Sequence, residues 1–155
     1  MSVIEQYISL DKKYKKEYGP KTLLLMEIGS FYECYAVSPQ DISILSDVCC
    51  LLNMQLTRKN KSKEISQSNC ALFGFPVHSL SKFLGILLNS QYIVPVYRQQ
   101  DDTSMPGTTK KKRVLDAIHT SSLYTSGCED QYGWKPNKSI VENFTNSVDQ
   151  YLHCM

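Results

Sequence analysis

The segment from Thr22 to Val37, TLLLMEIGSFYECYAV, constrains the fold of this chain more than any other. It joins a compact apolar run to a second stretch rich in aromatic residues, and only a Gly-Ser pair separates the two. Two such runs on either side of a glycine are typical of strands joined by a turn or a bulge. Because side chains alternate along a strand, Phe31 and Glu33 are predicted to lie on one face and Tyr32 on the other.

Helical and strand-like patterns alternate along the rest of the chain. Amphipathic helices are predicted at residues 2–19, 38–53 and 79–91, and further strands at residues 54–57, 70–76, 92–99 and 113–120. Pro95 removes a ladder donor from its strand, which predicts an edge position or a bulge there. The order of elements predicts an α/β domain in which a mixed β-sheet is covered by about three helices.

The composition changes near residue 122. Residues 121–139 are rich in glycine, serine and other polar residues, which is typical of a linker. Residues 140–155 fit either a last helix or an unfinished strand. The chain is therefore divided into a domain at residues 1–122 and a linker with the start of a further domain at residues 123–155.

Charge and cysteine content exclude several function classes. The 17 basic and 15 acidic residues give a net charge of +2, which is too balanced to indicate nucleic-acid binding by itself. Basic clusters at residues 12–16, 58–63 and 110–113 each fit a solvated surface as well. The six cysteines and three histidines have no zinc-site spacing, so we expect free thiols in a reducing, intracellular compartment. No apolar run is long enough to cross a bilayer, and no membrane partner is expected.

Enzyme signatures are missing from the sequence. It contains no phosphate-binding loop of the G-x-x-x-x-G-K-[ST] type, no H-E-x-x-H motif and no G-x-S-x-G elbow. We therefore expect no catalytic residue, metal or cofactor in this chain. A small α/β enzyme whose catalytic residues meet only in the fold stays an alternative.

Several ordered motifs resemble the N-terminal mismatch-recognition domain (domain I) of the MutS family of DNA mismatch-repair proteins. The family signature runs from an apolar strand through glycine to Phe-Tyr-Glu, and Phe31, Tyr32 and Glu33 match it. The similarity continues in order over about residues 5–122, through the segments LTRK, FGFPVHSLSKFLGILL, YIVPVYRQQDD and KRVLDAIHT. The segment MEIGSFYECY resembles the branch found in large DNA viruses (giant viruses) and coral mitochondria more closely than it resembles the bacterial proteins.

The resemblance implies a role for the exposed face of the hairpin. Phe31 would insert as a wedge from the minor groove at a mispair, and Glu33 would contact the displaced base. The composition alone favours a simpler interpretation, with Phe31 as a core residue and Glu33 as a surface carboxylate. The resemblance reverses that preference.

Five further residues complete the DNA-binding set that the resemblance implies. Arg58 and Lys59 align with family residues near the DNA backbone, although a solvated loop explains them equally well. Gly74 and Pro76 would shape a loop beside the groove, and His78 fits either a packed loop histidine or a DNA contact. The chain departs from the family at HTSSLYTS, where the family has Thr-Pro-Gly-Thr, and at Pro95.

For the whole protein, the resemblance implies partners and cofactors outside this chain. We expect double-stranded DNA with mispairs or small loops as the ligand, the remaining MutS domains as partners, and a dimer in the full-length form. ATP and Mg²⁺ would bind in a distant domain, and this chain would be either one domain of a longer protein or a naturally short relative. The alternative function is a protein-interaction or structural domain of the same fold that does not bind DNA.

Overall fold

A computed structural model describes residues 2–104, 107 and 110–121 of the chain. Within them, the elements are α1 (Val3–Tyr18), β1 (Leu25–Ile28), β2 (Phe31–Ala36), α2 (Pro39–Leu52), β3 (Thr57–Arg58), β4 (Ala71–Pro76), a 3₁₀ turn (Val77–Ser79), α3 (Leu80–Asn89), β5 (Val94–Asp101) and β6 (Lys111–His119). The predicted linker and further segment at residues 123–155 lie outside the described part.

The six strands form one mixed sheet in the order β3-β4-β2-β1-β5-β6. The β1–β2 hairpin lies at its centre, and β5 joins β1 in parallel while the other neighbours are antiparallel. This arrangement confirms the predicted α/β class with a mixed sheet and three helices. Of the described helices, none is long and apolar enough to cross a membrane.

The helices cover both faces of the sheet. Tyr35 of β2 makes an edge contact with Tyr7 of α1, with ring centroids 5.4 Å apart. Tyr32, which alternation places on the other face, packs against Phe75, and Phe75 packs against Phe83 of α3. Thus α1 covers one face, and α3, with α2 packed beside it, covers the other.

Local sequence signals explain where the helices begin and end. Ser2 and Glu5 form a reciprocal capping box at the start of α1, and Gly19 ends that helix with φ +98°. Ser38 caps α2 by accepting from the Asp41 amide. Cys49 is buried and Cys50 is exposed. The four described cysteines are free thiols.

The edge position predicted for Pro95 is wrong, because β5 lies between β1 and β6. The alternative, a bulge, is confirmed next to it, since the β5–β6 register shifts between Val96 and Tyr97. On the β1 side, Pro95 falls between the isolated Thr22–Ile93 bridge and the first regular pair at Val96. An interior strand tolerates the missing N–H here because the ladder is interrupted at that position.

Two predicted boundaries also differ from the structure. The short strand expected at residues 54–57 is shifted to Thr57–Arg58. The strands flanking the expected loop at residues 100–112 are longer than predicted, since β5 runs to Asp101 and β6 begins at Lys111. The end of β5 and the start of β6 therefore form a two-stranded ribbon beyond the end of β1.

Candidate nucleic-acid interface

The turn between β1 and β2, which consists of Gly29 and Ser30, is held from both sides of the hairpin. Gly29 has φ +63°, a left-handed conformation that glycine adopts readily and that suits the first position of a two-residue hairpin turn. The Ser30 carbonyl accepts from the Val77 amide at 3.0 Å. On the other side, the side-chain amide of Gln99 bonds both backbone groups of Gly29. The turn is therefore fixed relative to the sheet.

Phe31 follows this turn directly, and its side chain is 45% exposed. Ile28 of β1 and Pro76 of β4 lie opposite Phe31, and both are half-buried. In the described part of the chain, the other exposed large apolar side chains are Tyr18 and Leu115. Single exposed apolar residues are common on protein surfaces. What distinguishes Phe31 is its position beside a fixed turn on an apolar base.

Gly74 makes room for Glu33. The two residues are directly opposite each other across β2 and β4. A Cβ added at Gly74 would lie 2.9 Å from the Tyr32 carbonyl oxygen and 3.1 Å from Glu33 Cγ. The Glu33 side chain can therefore lie over β4 only because residue 74 has no side chain.

Tyr35 orients the Glu33 carboxylate. Its hydroxyl donates to Glu33 Oε2, and its ring is fixed against Tyr7. Burial, followed by the hydrogen bond to Glu33, raises the pKa of Tyr35 well above its usual range, so the hydroxyl stays a donor. Among the described residues, Oε1 has no hydrogen-bond partner, and it is the oxygen available to a ligand. Sequence reasoning missed Tyr35, although its i+2 spacing from Glu33 was the signal.

The structure brings Phe31, Glu33, Gly74 and Pro76 together at one end of the sheet, which we call the hairpin end. Pro76 ends β4 directly opposite Phe31. His78 follows in the 3₁₀ turn and is exposed, which excludes the packed alternative and leaves its ring accessible to a ligand. These residues surround the start of β2, so the order of the sequence motifs corresponds to a contiguous surface.

Arg58 and Lys59 lie at the other end of the sheet. Arg58 pairs with Ala71, which in turn pairs with Ala36, five residues along β2 from Phe31. At about 3.4 Å per residue, this separation is roughly 17 Å along the strand. Arg58 Nη2 also donates to the Lys61 carbonyl at 2.6 Å, which fixes part of its guanidinium within the loop. The structure therefore does not bring Arg58 and Lys59 to the side of Phe31.

A different basic cluster, residues 110–113, lies at the hairpin end. Arg113 pairs with Gln99, and its Nε donates to the Glu27 carbonyl at 3.2 Å. Lys112 pairs with Gln100, and Lys111 forms an ion pair with Asp101. Four basic residues face two acidic neighbours, Asp101 and Asp102, so this ribbon has a net positive charge.

The described residues contain no group of three or more metal-ligating side chains. The candidate site combines the exposed Phe31 ring, the Glu33 carboxylate oriented by Tyr35, and the basic ribbon at residues 110–113. Such a surface can stack on a flat ligand, accept or share a proton through Glu33 Oε1, and attract an anionic backbone.

Comparison with known proteins identifies the family. The model of MutS domain I matches residues 1–127. A MutS homologue of Acanthamoeba polyphaga mimivirus is 31% identical over 132 residues, which are 84% of this chain and 11% of that protein. DNA mismatch repair protein MutS of Thermosipho melanesiensis is 30% identical over 121 residues, which are 78% of this chain and 12% of that protein.

A third relative extends further along the chain. DNA mismatch repair protein MutS of Streptococcus pneumoniae is 25% identical over 150 residues, which are 95% of this chain and 15% of that protein. The chain thus spans a small fraction of the length of these relatives. The viral relative and one bacterial relative have nearly equal identities, 31% and 30%, so the predicted viral and coral branch stays a prediction. The match over most of the chain establishes that it belongs to the MutS family and contains that family's domain I.

Proposed function

We propose that this chain binds double-stranded DNA at mispairs and small loops as part of mismatch repair. Phe31 inserts at the mispair from the minor groove, and Glu33 contacts the displaced base. The observation that carries the proposal is the exposed Phe31 ring beside a turn held on both sides. The names of the relatives, all mismatch-repair proteins, support the same ligand.

The physical basis of selectivity is the weak stacking of a mispaired base. Extruding a base costs a few kcal/mol, and this cost is smallest where pairing has already failed. Stacking of an aromatic side chain on a base contributes about 1–3 kcal/mol, which is comparable. Phe31 therefore inserts at mispairs and is excluded from intact steps. Insertion also kinks the duplex, and the bent DNA can contact more of the protein surface.

Glu33 adds a second requirement. A base ring nitrogen and an ionised carboxylate are both acceptors, so one of them must take up a proton before they can bond. In the proposal, Oε1 carries this proton while Tyr35 continues to donate to Oε2. On an intact duplex the ionised carboxylate repels the phosphates, which disfavours binding to correct pairs. Glu33→Gln is expected to keep binding mispairs. Its affinity for mispaired DNA should depend less on pH than that of wild type, because glutamine takes up no proton.

Phosphate contacts come from two basic regions in this proposal. The ribbon at residues 110–113 binds phosphates near the mispair, and Arg58 and Lys59 bind phosphates about 17 Å away along the strand direction. Such contacts fix the register of the protein on DNA without reading its sequence. We further propose that ATP and Mg²⁺ bind, and dimer contacts form, in other domains of the full-length protein.

A titration of matched and G·T-mismatched duplexes tests the proposal. Wild type is expected to bind the mismatched duplex more tightly, and Phe31→Ala is expected to remove that preference. Leu115→Ala is the matched control, because Leu115 is also 45% exposed and lies on β6. Equally weak binding of both duplexes, unchanged by Phe31→Ala, would instead favour an interaction domain without DNA binding, which the net charge of +2 also fits.

A further inference from the structure

The link between β1 and β5 changes in kind at the hairpin end. Regular parallel pairing stops at Met26 and Tyr97. Beyond that point, bonds that involve side chains replace the backbone ladder. The backbone N–H of Gln99 donates to Glu27 Oε1 at 2.9 Å, and Arg113 Nε donates to the Glu27 carbonyl. The hairpin is thus joined to β5 and β6 by side chains where its turn begins.

Gln99 makes the outermost of these links. Its Nε2 donates to the Gly29 carbonyl at 2.8 Å, and its Oε1 accepts from the Gly29 amide at 3.1 Å. A carboxamide carries one acceptor and one donor group side by side, so it can satisfy both backbone groups of a single residue. Glutamate can accept but not donate when ionised, and methionine has no donor and only a weak thioether acceptor.

We infer that Gln99 is a positioning residue for Phe31, an inference that rests on the proposed function. With Gln99 in place, the turn is held at Gly29 from one side and at Ser30 from the other. Without the Gln99 side chain, the bond from the Val77 amide to the Ser30 carbonyl is the remaining link, among the described residues, from the turn to a neighbouring segment. A smaller fraction of molecules then holds the Phe31 ring in the orientation that enters a mispair. The apparent affinity for a mispair falls in proportion to that fraction. Affinity for matched DNA does not change, because matched DNA does not take up the ring.

The test compares Gln99→Met with Gln100→Met in the 155-residue chain. Gln100 is the next residue of β5 and is exposed, and no described residue makes a side-chain hydrogen bond with it. Losing one or two hydrogen bonds predicts that Gln99→Met lowers the mismatched-to-matched affinity ratio about three- to tenfold, with matched affinity and melting temperature close to wild type. Gln100→Met should leave the ratio unchanged. Equal ratios in the two variants would overturn the inference.

A second pair of variants, Gln99→Glu and Gln100→Glu, keeps the test informative if Gln99→Met misfolds. Gln99→Glu keeps the acceptor for the Gly29 amide and loses the donor, so its ratio should fall between those of wild type and Gln99→Met. Gln100→Glu adds the same charge one residue away and controls for repulsion from DNA. A ratio in Gln99→Glu no lower than in Gln100→Glu would count against a role for the lost donor.

Amide hydrogen exchange separates this inference from the proposed function. If wild type shows no preference for mispairs, the proposed function fails, and the Gly29 amide then decides the positioning role. Faster exchange at Gly29 in Gln99→Met than in Gln100→Met, with unchanged exchange in the core strands, supports control of the turn by Gln99. Unchanged exchange at Gly29 overturns it.

Discussion

The two ends of β2 present the same face of one strand in opposite environments. At the hairpin end, Phe31 is 45% exposed, whereas four residues further on Tyr35 is buried beneath Tyr7 of α1. Both side chains are aromatic, and both lie on the same side by alternation. The difference comes from the reach of α1, which covers one end of the face and leaves the other open. Exposure of Phe31 is therefore a property of tertiary packing.

This difference separates stability from binding. Full burial of a Phe side chain is worth about 1.5–3 kcal/mol, so the hairpin end forgoes a sizeable part of that stabilisation. The covered end recovers packing through Tyr7, whose hydroxyl also donates to the Leu24 carbonyl at 2.8 Å. Substitutions at the covered end should therefore change folding, and those at the hairpin end should change DNA binding.

The largest expected effect is the contrast between Tyr7→Ala and Phe31→Ala in chemical unfolding. Truncating a fully buried aromatic residue costs about 3–5 kcal/mol, so Tyr7→Ala should strongly lower the free energy of unfolding. Phe31→Ala should lower it by no more than about 1.5 kcal/mol, because nearly half of the Phe31 surface is already exposed. Comparable losses in the two variants would show that Phe31 belongs to the core, contrary to its exposure.

Gly74→Ala tests the contact between β4 and Glu33. The new methyl group would lie 2.9 Å from the backbone oxygen of Tyr32, so the strands must shift. We expect a loss of about 1–3 kcal/mol in unfolding free energy, typical of overpacking, and a weaker preference for mispairs. Gly29→Ala is an informative control, because nothing lies within 4 Å of its added Cβ and its cost comes from the positive φ alone. Wild-type stability in Gly74→Ala would contradict the account.

Tyr35→Phe tests the boundary between the two ends, since Tyr35 is buried yet bonds Glu33. Removing the hydroxyl deletes one hydrogen bond, worth about 0.5–1.5 kcal/mol, and leaves the ring packed against Tyr7. The preference for mispairs should fall about two- to tenfold, and the melting temperature should fall by only a few degrees. Tyr32→Phe on the opposite face is the control, and an equal effect there would argue against a specific role for Tyr35.

The smallest expected effect concerns how α1 is attached. Lys15 bonds Asp11 at 2.7 Å and Asp41 at 2.9 Å, which joins α1 to the start of α2. Although burial acts in the opposite direction, bonds from Lys15 and Ser38 lower the pKa of Asp41 below 3.8. Its stabilisation is therefore complete above that pH and is lost as the pH falls through the folded-state pKa.

Urea unfolding of wild type and Asp41→Asn at pH 7 and near pH 3 measures this contribution. The two proteins should differ by up to about 1 kcal/mol at pH 7, because the pair is only partly buried. The difference should shrink as the pH falls. A difference that grows with acidity would have the wrong sign for a carboxylate with a lowered pKa.

Local patterns predicted most of the elements but not their neighbours. Apolar periodicity located the helices, and alternation assigned Phe31 and Glu33 to one face. The strand order depends on the parallel crossover that brings β5 beside β1, and no local pattern contains it. For this reason the interior position of Pro95, the distance of Arg58 from Phe31, and the contact of Gln99 with Gly29 could not be predicted.

The most direct test of the central claim is whether the Phe31 ring enters the base stack. A fluorescent adenine analogue placed beside a G·T mispair brightens when its neighbours unstack. Saturating wild type and Leu115→Ala should both raise its emission, whereas Phe31→Ala should leave it near the level of free DNA even at saturation. An equal rise with Phe31→Ala would show that another part of the chain opens the mispair and would contradict the account.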